Sequence, residues 1–305
     1  MIELEAAVSL VDDAAAAVAA ERDLLVVTGT EAASYLQGQL SQDVEGLPIG
    51  GTARTLLLQP QGKVDAWLRV HRRAPEEFWL DTDAGHGSGA AARLERFKLR
   101  VDVAIEVREV TVLAVRGPDA PGMAGPALER GLVALDASWG GVAGVDVLDP
   151  AGDLDPVATA TALGLPLGPP ELAELVRVRQ GLPAMGRELD GSTIPAAAGI
   201  VGPSVDFTKG CYVGQELVAR IDSRGNNTPT RLHALRFDGP QPPPAGAELL
   251  LGGEVVGSVT SAVAAPGSDA VGLGYLKRSV ETPATLAVGS DPSLRAEASA
   301  VPGPG

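Results

Sequence analysis

Punctuation rules out a helical bundle here: 305 residues carry 38 glycines and 24 prolines. Both residue types break helix interiors and build turns, so the chain reads as many short elements, strands prominent among them. Its length suits about two domains of roughly 100–200 residues each and leaves enough chain for a sizeable core. Aromatic residues make up only 3%, so that core must come from Ala, Val and Leu. The class expected is a mixed α+β protein.

Local patterns place the elements. Residues 12–20 read as an Ala-rich helical patch and Leu24–Val27 as a short strand. A helix follows in EAASYLQGQL, with Tyr35, Leu36 and Leu40 on one face and Thr30 available as its cap. Ala53–Leu58 and Lys63–His71 form a hairpin about the turn Gln59-Pro60-Gln61-Gly62. Phe78–Asp81 is a strand and Gly85–Leu99 a helix; Val101–Val107 alternates like a half-buried strand, and Thr111–Arg116 is another. Helices are expected near 154–163 and 170–180, then a long packed loop over 181–210. GPQPPPAG at 239–246 marks the clearest boundary; beyond it, alternating segments at 247–251, 253–264, 270–276 and 284–288 predict a small β-barrel. The expected division is an α+β region over 1–228, a barrel over 229–290 and a disordered tail over 291–305.

Net charge is −15 and the pI is near 4.6. So acidic a surface repels phosphate backbones, which argues against direct nucleic-acid binding. No basic amphipathic helix for a membrane surface is visible, and no uncharged stretch nears the roughly 18–20 apolar residues that span a bilayer. The N-terminal segment lacks a signal-peptide pattern, so the cytoplasm is the expected location. Cys211 is the single cysteine, and His71, His86 and His233 lie far apart, which predicts neither an intramolecular disulfide nor a metal site.

The most informative stretch is DFTKGCYVGQELVARIDSRG, residues 206–225. Gly210 and Gly214 bracket Cys211, a helical pattern starts at Gln215, and Gly225 stands where a helix stop is wanted. Cys211 and Tyr212 therefore fall in a turn before a helix N-terminus. Backbone N–H groups there, with Lys209 if it points inward, would favour a thiolate. A lone cysteine is equally read as a small buried hydrophobe.

Lys209 through Arg220 matches K-G-C-Y-x-G-Q-E-x-x-x-R and resembles the signature of the YgfZ family, relatives of the glycine-cleavage T-protein (aminomethyltransferase). Other blocks follow in order. Tyr35–Val44 resembles the family's F-L-Q-G-Q-x-T-x-D-V helix, and Gln61-Gly62-Lys63-Val64 its G-K-[MV] hairpin. Arg177–Pro183 resembles its R-x-x-x-G-[IL]-P element, and Ile194-Pro195 its I-P pair. The resemblance implies a T-protein-like fold of intertwined α+β modules around a folate-binding hole, followed by a small C-terminal β-barrel.

It also implies tetrahydrofolate, or another reduced folate, as cofactor. The implied role is the assembly or maintenance of iron–sulfur proteins, tRNA-modifying enzymes among them, with client proteins or assembly factors as partners. On that reading Cys211 is the reactive thiol and Lys209 tunes it, while Tyr212, Gln215, Glu216 and Arg220 shape and support the folate-binding site and Arg177, with Arg224 behind it, answers folate carboxylates. The alternatives are a folate-dependent aminomethyl or one-carbon transferase and a scaffold whose folate site is vestigial. T-proteins carry paired acids after the hairpin; Ala66 and Trp67 stand there in this chain, with Asp65 one residue early, and Arg179 replaces their Glu. A transferase would have to use Asp65 or Asp43 instead, so a classical enzyme is not expected.

Overall fold

The computed structural model describes residues 1–289 and 291–303. Its first half is built on one seven-stranded antiparallel sheet ordered β2-β3-β4-β1-β5-β7-β6. The strands are β1 (Ala16–Thr28), β2 (Thr52–Leu58), β3 (Val64–Ala74), β4 (Glu77–Asp83), β5 (Ala104–Arg116), β6 (Val133–Asp136) and β7 (Gly144–Leu148). Packed with them are α1 (Leu4–Asp13), α2 (Ala32–Gln39), α3 (Gly87–Phe97), α4 (Ala124–Leu128), α5 (Pro156–Ala162) and α6 (Glu171–Arg179). The loop after α6 carries α7 (Val201–Ser204) and leads into α8 (Gln215–Asp222). Strands β8 (Thr230–Phe237), β9 (Glu248–Leu251), β10 (Glu254–Val263), β11 (Val271–Lys277), β12 (Ala284–Val288) and β13 (Asp291–Ala300) close into a barrel ordered β10-β11-β8-β13-β12-β9.

Three local expectations are corrected. The alanine run is not helical: the helix lies earlier, at α1, and Ala16 to Ala20 open the long strand β1. That segment pairs with β5 on one side and is bridged at Ala17 to Leu167 on the other, and Ala16 and Ala17 fit where α1 and the chain at Gly168 come close. Helix propensity is a weak prior that such packing overrides. Thr30 does not cap α2; its hydroxyl donates to Asp102 Oδ2 at 2.7 Å, and no side chain caps that helix. The two strands read within 101–116 are one, β5, whose first half runs out into solvent, with Val107 exposed.

The tail is corrected too. Residues 291–300 form β13, which pairs with β8 on one side and β12 on the other. Its apolar contribution is Ala296 and Ala298, both fully buried inside the barrel, and the partly buried Leu294, so the segment reads as polar in sequence. Without it the barrel would expose two unpaired strand edges. Val301 then packs near Val178 and Leu232; residues 304–305 lie outside the described residues.

A buried acid joins barrel to body. The Glu188 carboxylate accepts from Arg177 Nη1 at 2.9 Å, the Ala184 N–H at 3.1 Å, Thr260 Oγ1 at 2.7 Å and Ser261 Oγ at 2.6 Å. Its own carbonyl accepts the Tyr275 hydroxyl at 2.9 Å. One residue thus ties α6 and the following loop to β10 and β11. Removing one partner of a buried ion pair typically costs about 3–5 kcal/mol. Glu188→Ala is expected to lose that much in urea unfolding, and Glu188→Gln, which keeps the hydrogen-bonding shape, clearly less. A Glu188→Ala loss below about 1 kcal/mol, the scale of a single ordinary hydrogen bond, would contradict this role.

Candidate functional site

Two places carry chemistry. The first is the cysteine loop between α7 and α8. Asp206 turns it, its carboxylate accepting the Thr208 N–H and hydroxyl, each at 2.7 Å, and the Lys209 N–H at 3.2 Å. Lys209 then runs inward, and its Nζ donates to the carbonyls of Gln37 and Leu40 at 2.6 Å and of Gln42 at 2.9 Å. These carbonyls lie at and just beyond the C-terminal end of α2, where the helix dipole is negative. Burial pushes the ammonium down to about 8, while Asp43, Asp206 and Glu45 pull it up, so it stays protonated at neutral pH. The side chain expected to tune the cysteine is therefore engaged in fastening the loop to α2.

Further bonds lock the same contact. Ser41 Oγ donates to the Ser204 carbonyl and accepts the Leu56 N–H, and the Asp206 N–H reaches the Ser41 carbonyl. The glycines interlock: a Cβ on Gly214 (φ 83°) would stand 2.5 Å from the Gln59 carbonyl, and one on Gly62 (φ 77°) would stand 2.6 Å from Leu217 Cβ. Three sequence blocks, around 37–42, 59–62 and 206–217, are physically one unit.

On that support Cys211 is exposed, three residues ahead of Gly214, the cap of α8. Tyr212 is half-buried, its ring 5.2 Å from Lys209 Nζ and its N–H on Gln215 Oε1 at 3.1 Å; burial pushes its hydroxyl up to about 12. Tyr212, Gln215, Glu216 and Lys209 line a shallow pocket of 250 Å³ with Phe207 and Ala219. Arg220 stands apart, exposed in the last turn of α8, and Arg224 is exposed beyond it. Arg177 is elsewhere, saturated by Glu174, Glu188, Ser261 and the Leu182 carbonyl.

The second place is a cleft of 430 Å³ between the sheet and α6. Ala16, Val18 and Ala20 of β1 with Val112 and Ala114 of β5 make a flat apolar floor; α6 and residues 182–187 form the opposite wall. Arg177 lines this cleft, but the cysteine-loop residues do not. Gln180, 1% exposed, also lines it, and its Nε2 has no hydrogen-bond partner. Sequence reasoning missed Gln180 and Glu188; Gln180 stood inside a quoted motif, whereas nothing local marks Glu188.

Under the cleft lies a buried charge network. Arg69 bonds both oxygens of Asp81, at 2.9 and 2.8 Å, and reaches Asp146 at 2.8 Å; Arg116 holds Asp146 at 2.7 Å, and Arg22 bonds Asp81 and Asp83. Burial alone would raise Asp146, but Arg116 and Arg69 hold it well below the usual carboxylate range. Arg54, on the same face, has no carboxylate; its guanidinium stacks 4.9 Å from the Trp67 ring and 4.8 Å from Trp139. Burial first, then Arg69 and Arg22, lower it to about 9. The candidate acids are absent from this face: Asp65 is the extra residue of a β-bulge and pairs with Arg93 of α3 at 3.0 Å, while Ala66 packs into the core on that far side. Asp43 is tied to Gln37 and the Gly46 N–H.

The Lys209 clamp is testable by Lys209→Met, which keeps the stem and deletes the donors. A hydrogen bond from a charged group contributes about 1.5–3 kcal/mol, so a stability loss of that order is expected. Amide exchange over 205–214 should quicken while the barrel stays protected. Unchanged exchange in that loop would contradict the clamp.

No family model matches the chain. Among curated relatives, it is 28% identical over 295 residues to the aminomethyltransferase of Streptomyces avermitilis, covering 88% of this chain and 79% of the relative. It is 26% identical to the tRNA-modifying protein YgfZ of Colwellia psychrerythraea, over 66% of this chain and 65% of the relative. It is 27% identical to the mitochondrial iron-sulfur cluster assembly factor IBA57 homolog of Mycosarcoma maydis, over 67% of this chain and 53% of the relative. The crystal structure of the glycine cleavage system aminomethyltransferase T from Bartonella henselae superposes with a TM-score of 0.80 at 21% identity, covering 97% of this chain and 88% of that one. The α+β architecture with its closed six-stranded barrel is thus the T-protein fold. By sequence and fold together, the chain belongs to the family that unites aminomethyltransferases with the YgfZ and IBA57 proteins.

Proposed function

We propose that this chain is a reduced-folate-binding factor that supports iron–sulfur proteins, tRNA-modifying enzymes among them, with Cys211 as its working thiol. The observation that carries this reading over a transferase is the state of the acids. Each carboxylate lining the cleft is already engaged: Asp83 and Asp146 by arginines, Glu174 by Arg177 and Arg187, and Glu21 by the Thr111 hydroxyl. A base that must take or orient an amine proton needs a free carboxylate within hydrogen-bond reach, and Trp67, Trp139 and Arg54 occupy the face beside the network instead.

The cleft suits the folate. Its 430 Å³ lies within the usual range of about 300–1,000 Å³ for small-molecule sites. The alanine floor offers a flat surface to a planar ring, and the unpartnered Gln180 amide offers a donor to a ring acceptor. Arg187, roughly half exposed on the opposite wall, takes the carboxylates of the tail in place of the saturated Arg177. A bound reduced folate carries a one-carbon unit on its ring nitrogens. Tyr212, Gln215 and Glu216 belong to the other place: they shape the surface beside Cys211, where a client or assembly factor docks. One thiol cannot supply the four protein ligands of a common iron–sulfur cluster, so Cys211 acts on a cluster shared with that partner or by exchange. The assembly-factor and tRNA-modifying relatives support this assignment.

The transferase reading rests on the similarity to two Streptomyces aminomethyltransferases, at 28% and 27% identity. Calorimetry with tetrahydrofolate, a rescue assay in cells lacking the endogenous factor, and turnover of an aminomethyl-lipoyl donor separate the two. The expected pattern is folate binding that raises the thermal midpoint by mass action, at least tenfold weaker in Gln180→Leu and unchanged in Cys211→Ala. Cys211→Ala should lose rescue at an unchanged midpoint, and no methylene-tetrahydrofolate should form. Absent binding sinks the folate claim, full rescue by Cys211→Ala sinks the thiol role, and turnover establishes the transferase instead.

A further inference from the structure

A further cavity lies outside both places. It holds 500 Å³ at the mouth of the barrel, roofed by residues 196–202 and by the α8–β8 connection. It shares no lining residue with the cleft or with the pocket beside Cys211. Barrel mouths are recurrent ligand sites. Gly199, Gly202 and Gly225 line this one and have open space where a side chain would project.

Its polar groups form an uneven set. His233 is 8% exposed and follows the interior register of Leu235 and Phe237, opposite Ala300 of β13. Its Nδ1 lies 2.9 Å from the Arg231 carbonyl, which can only accept, so Nδ1 carries the proton and Nε2 is left as an acceptor with no partner. Burial lowers the ring below its ordinary value, against the Arg231 carbonyl bond, which keeps it neutral at pH 7. Asn226 Oδ1 is a second acceptor, buried and without a donor. Arg231 supplies the charge: Nη2 touches the Asn226 carbonyl at 3.2 Å, and the rest of its fork has no protein partner. Among the described residues no carboxylate lines the cavity, in a chain of net charge −15.

One cation, two empty acceptors and the Thr282 hydroxyl, with no acid among the described residues, specify the complement. We infer that the barrel mouth is a second ligand site, for a small zwitterion of the α-amino-acid class: its carboxylate on Arg231, its ammonium on His233 Nε2 and Asn226 Oδ1. A simple carboxylate has no donor for the acceptors, and a simple amine has no anion for the guanidinium.

The test uses the full chain and isothermal titration with glycine, L-alanine and L-glutamate at millimolar concentration, beside propionate and propylamine as half-ligands. Binding of at least one amino acid is expected, with both half-ligands at least tenfold weaker. Arg231→Gln, a surface change, should weaken the amino acid at least tenfold and leave tetrahydrofolate binding as in the unaltered protein. His233→Gln, which replaces the ring acceptor by an amide, should also weaken it. If no amino acid binds, if a half-ligand binds as well, or if Arg231→Gln binds like the unaltered protein, the proposal is wrong. Since the cleft is read out separately by folate, failure here leaves that reading standing.

Discussion

The Glu188 carboxylate is cut off from solvent, and Arg177, Ser261, Thr260 and the Ala184 amide fill its hydrogen-bonding positions together. Two segments far apart in sequence, 177–188 and 260–261, must be in place at once for that to happen. Loss of either leaves a buried charge short of partners, which is why such a joint specifies a single arrangement even where an apolar one would be as stable. The cleft depends on it, because α6 and residues 182–187 form its far wall. Arg177 therefore shapes the cleft by being unavailable to anything that enters it.

The cysteine loop is held by the same kind of logic at lower cost. Lys209 answers carbonyls that α2 cannot satisfy internally, and Gly62 and Gly214 let two turns approach to a distance that any Cβ would forbid. The result is a rigid pedestal with an exposed thiol on top. That thiol and the cleft use different residues and different walls. A protein with this layout is suited to sensing or carrying a cofactor in one place and acting on a partner in another, whereas a transferase needs the reacting groups to meet.

What was legible in sequence was local. The hairpin about Gln59–Gly62, the helices α6 and α8, and barrel strands β9 to β12 follow turn chemistry and alternation, and the ordered motifs pointed to the family and its fold. What was not legible depended on distant partners. The segment 16–20 carries helix propensity but pairs along β5 and is bridged at Ala17 to Leu167. Residues 291–300 look polar because the fully buried side chains they give the barrel core are two alanines, with Leu294 partly buried beside them. Arg177 looked like a free guanidinium, since Ser261 is 84 residues away and Glu188 gives no local sign. Grouping Tyr212, Gln215, Glu216 and Arg220 as folate contacts followed their proximity to the motif cysteine, and they surround or lie beyond that cysteine rather than line the cleft.

The separation of the two places is the central claim, and a crystal structure of the complex with tetrahydrofolate tests it most directly. The ring system should lie on the Ala16–Ala20 floor with the Gln180 amide bonded to it and its tail toward Arg187, leaving Cys211 uncovered. Density for the ligand against Tyr212 and Gln215, or a thiol within contact distance of the ring, would show one composite site and contradict the account.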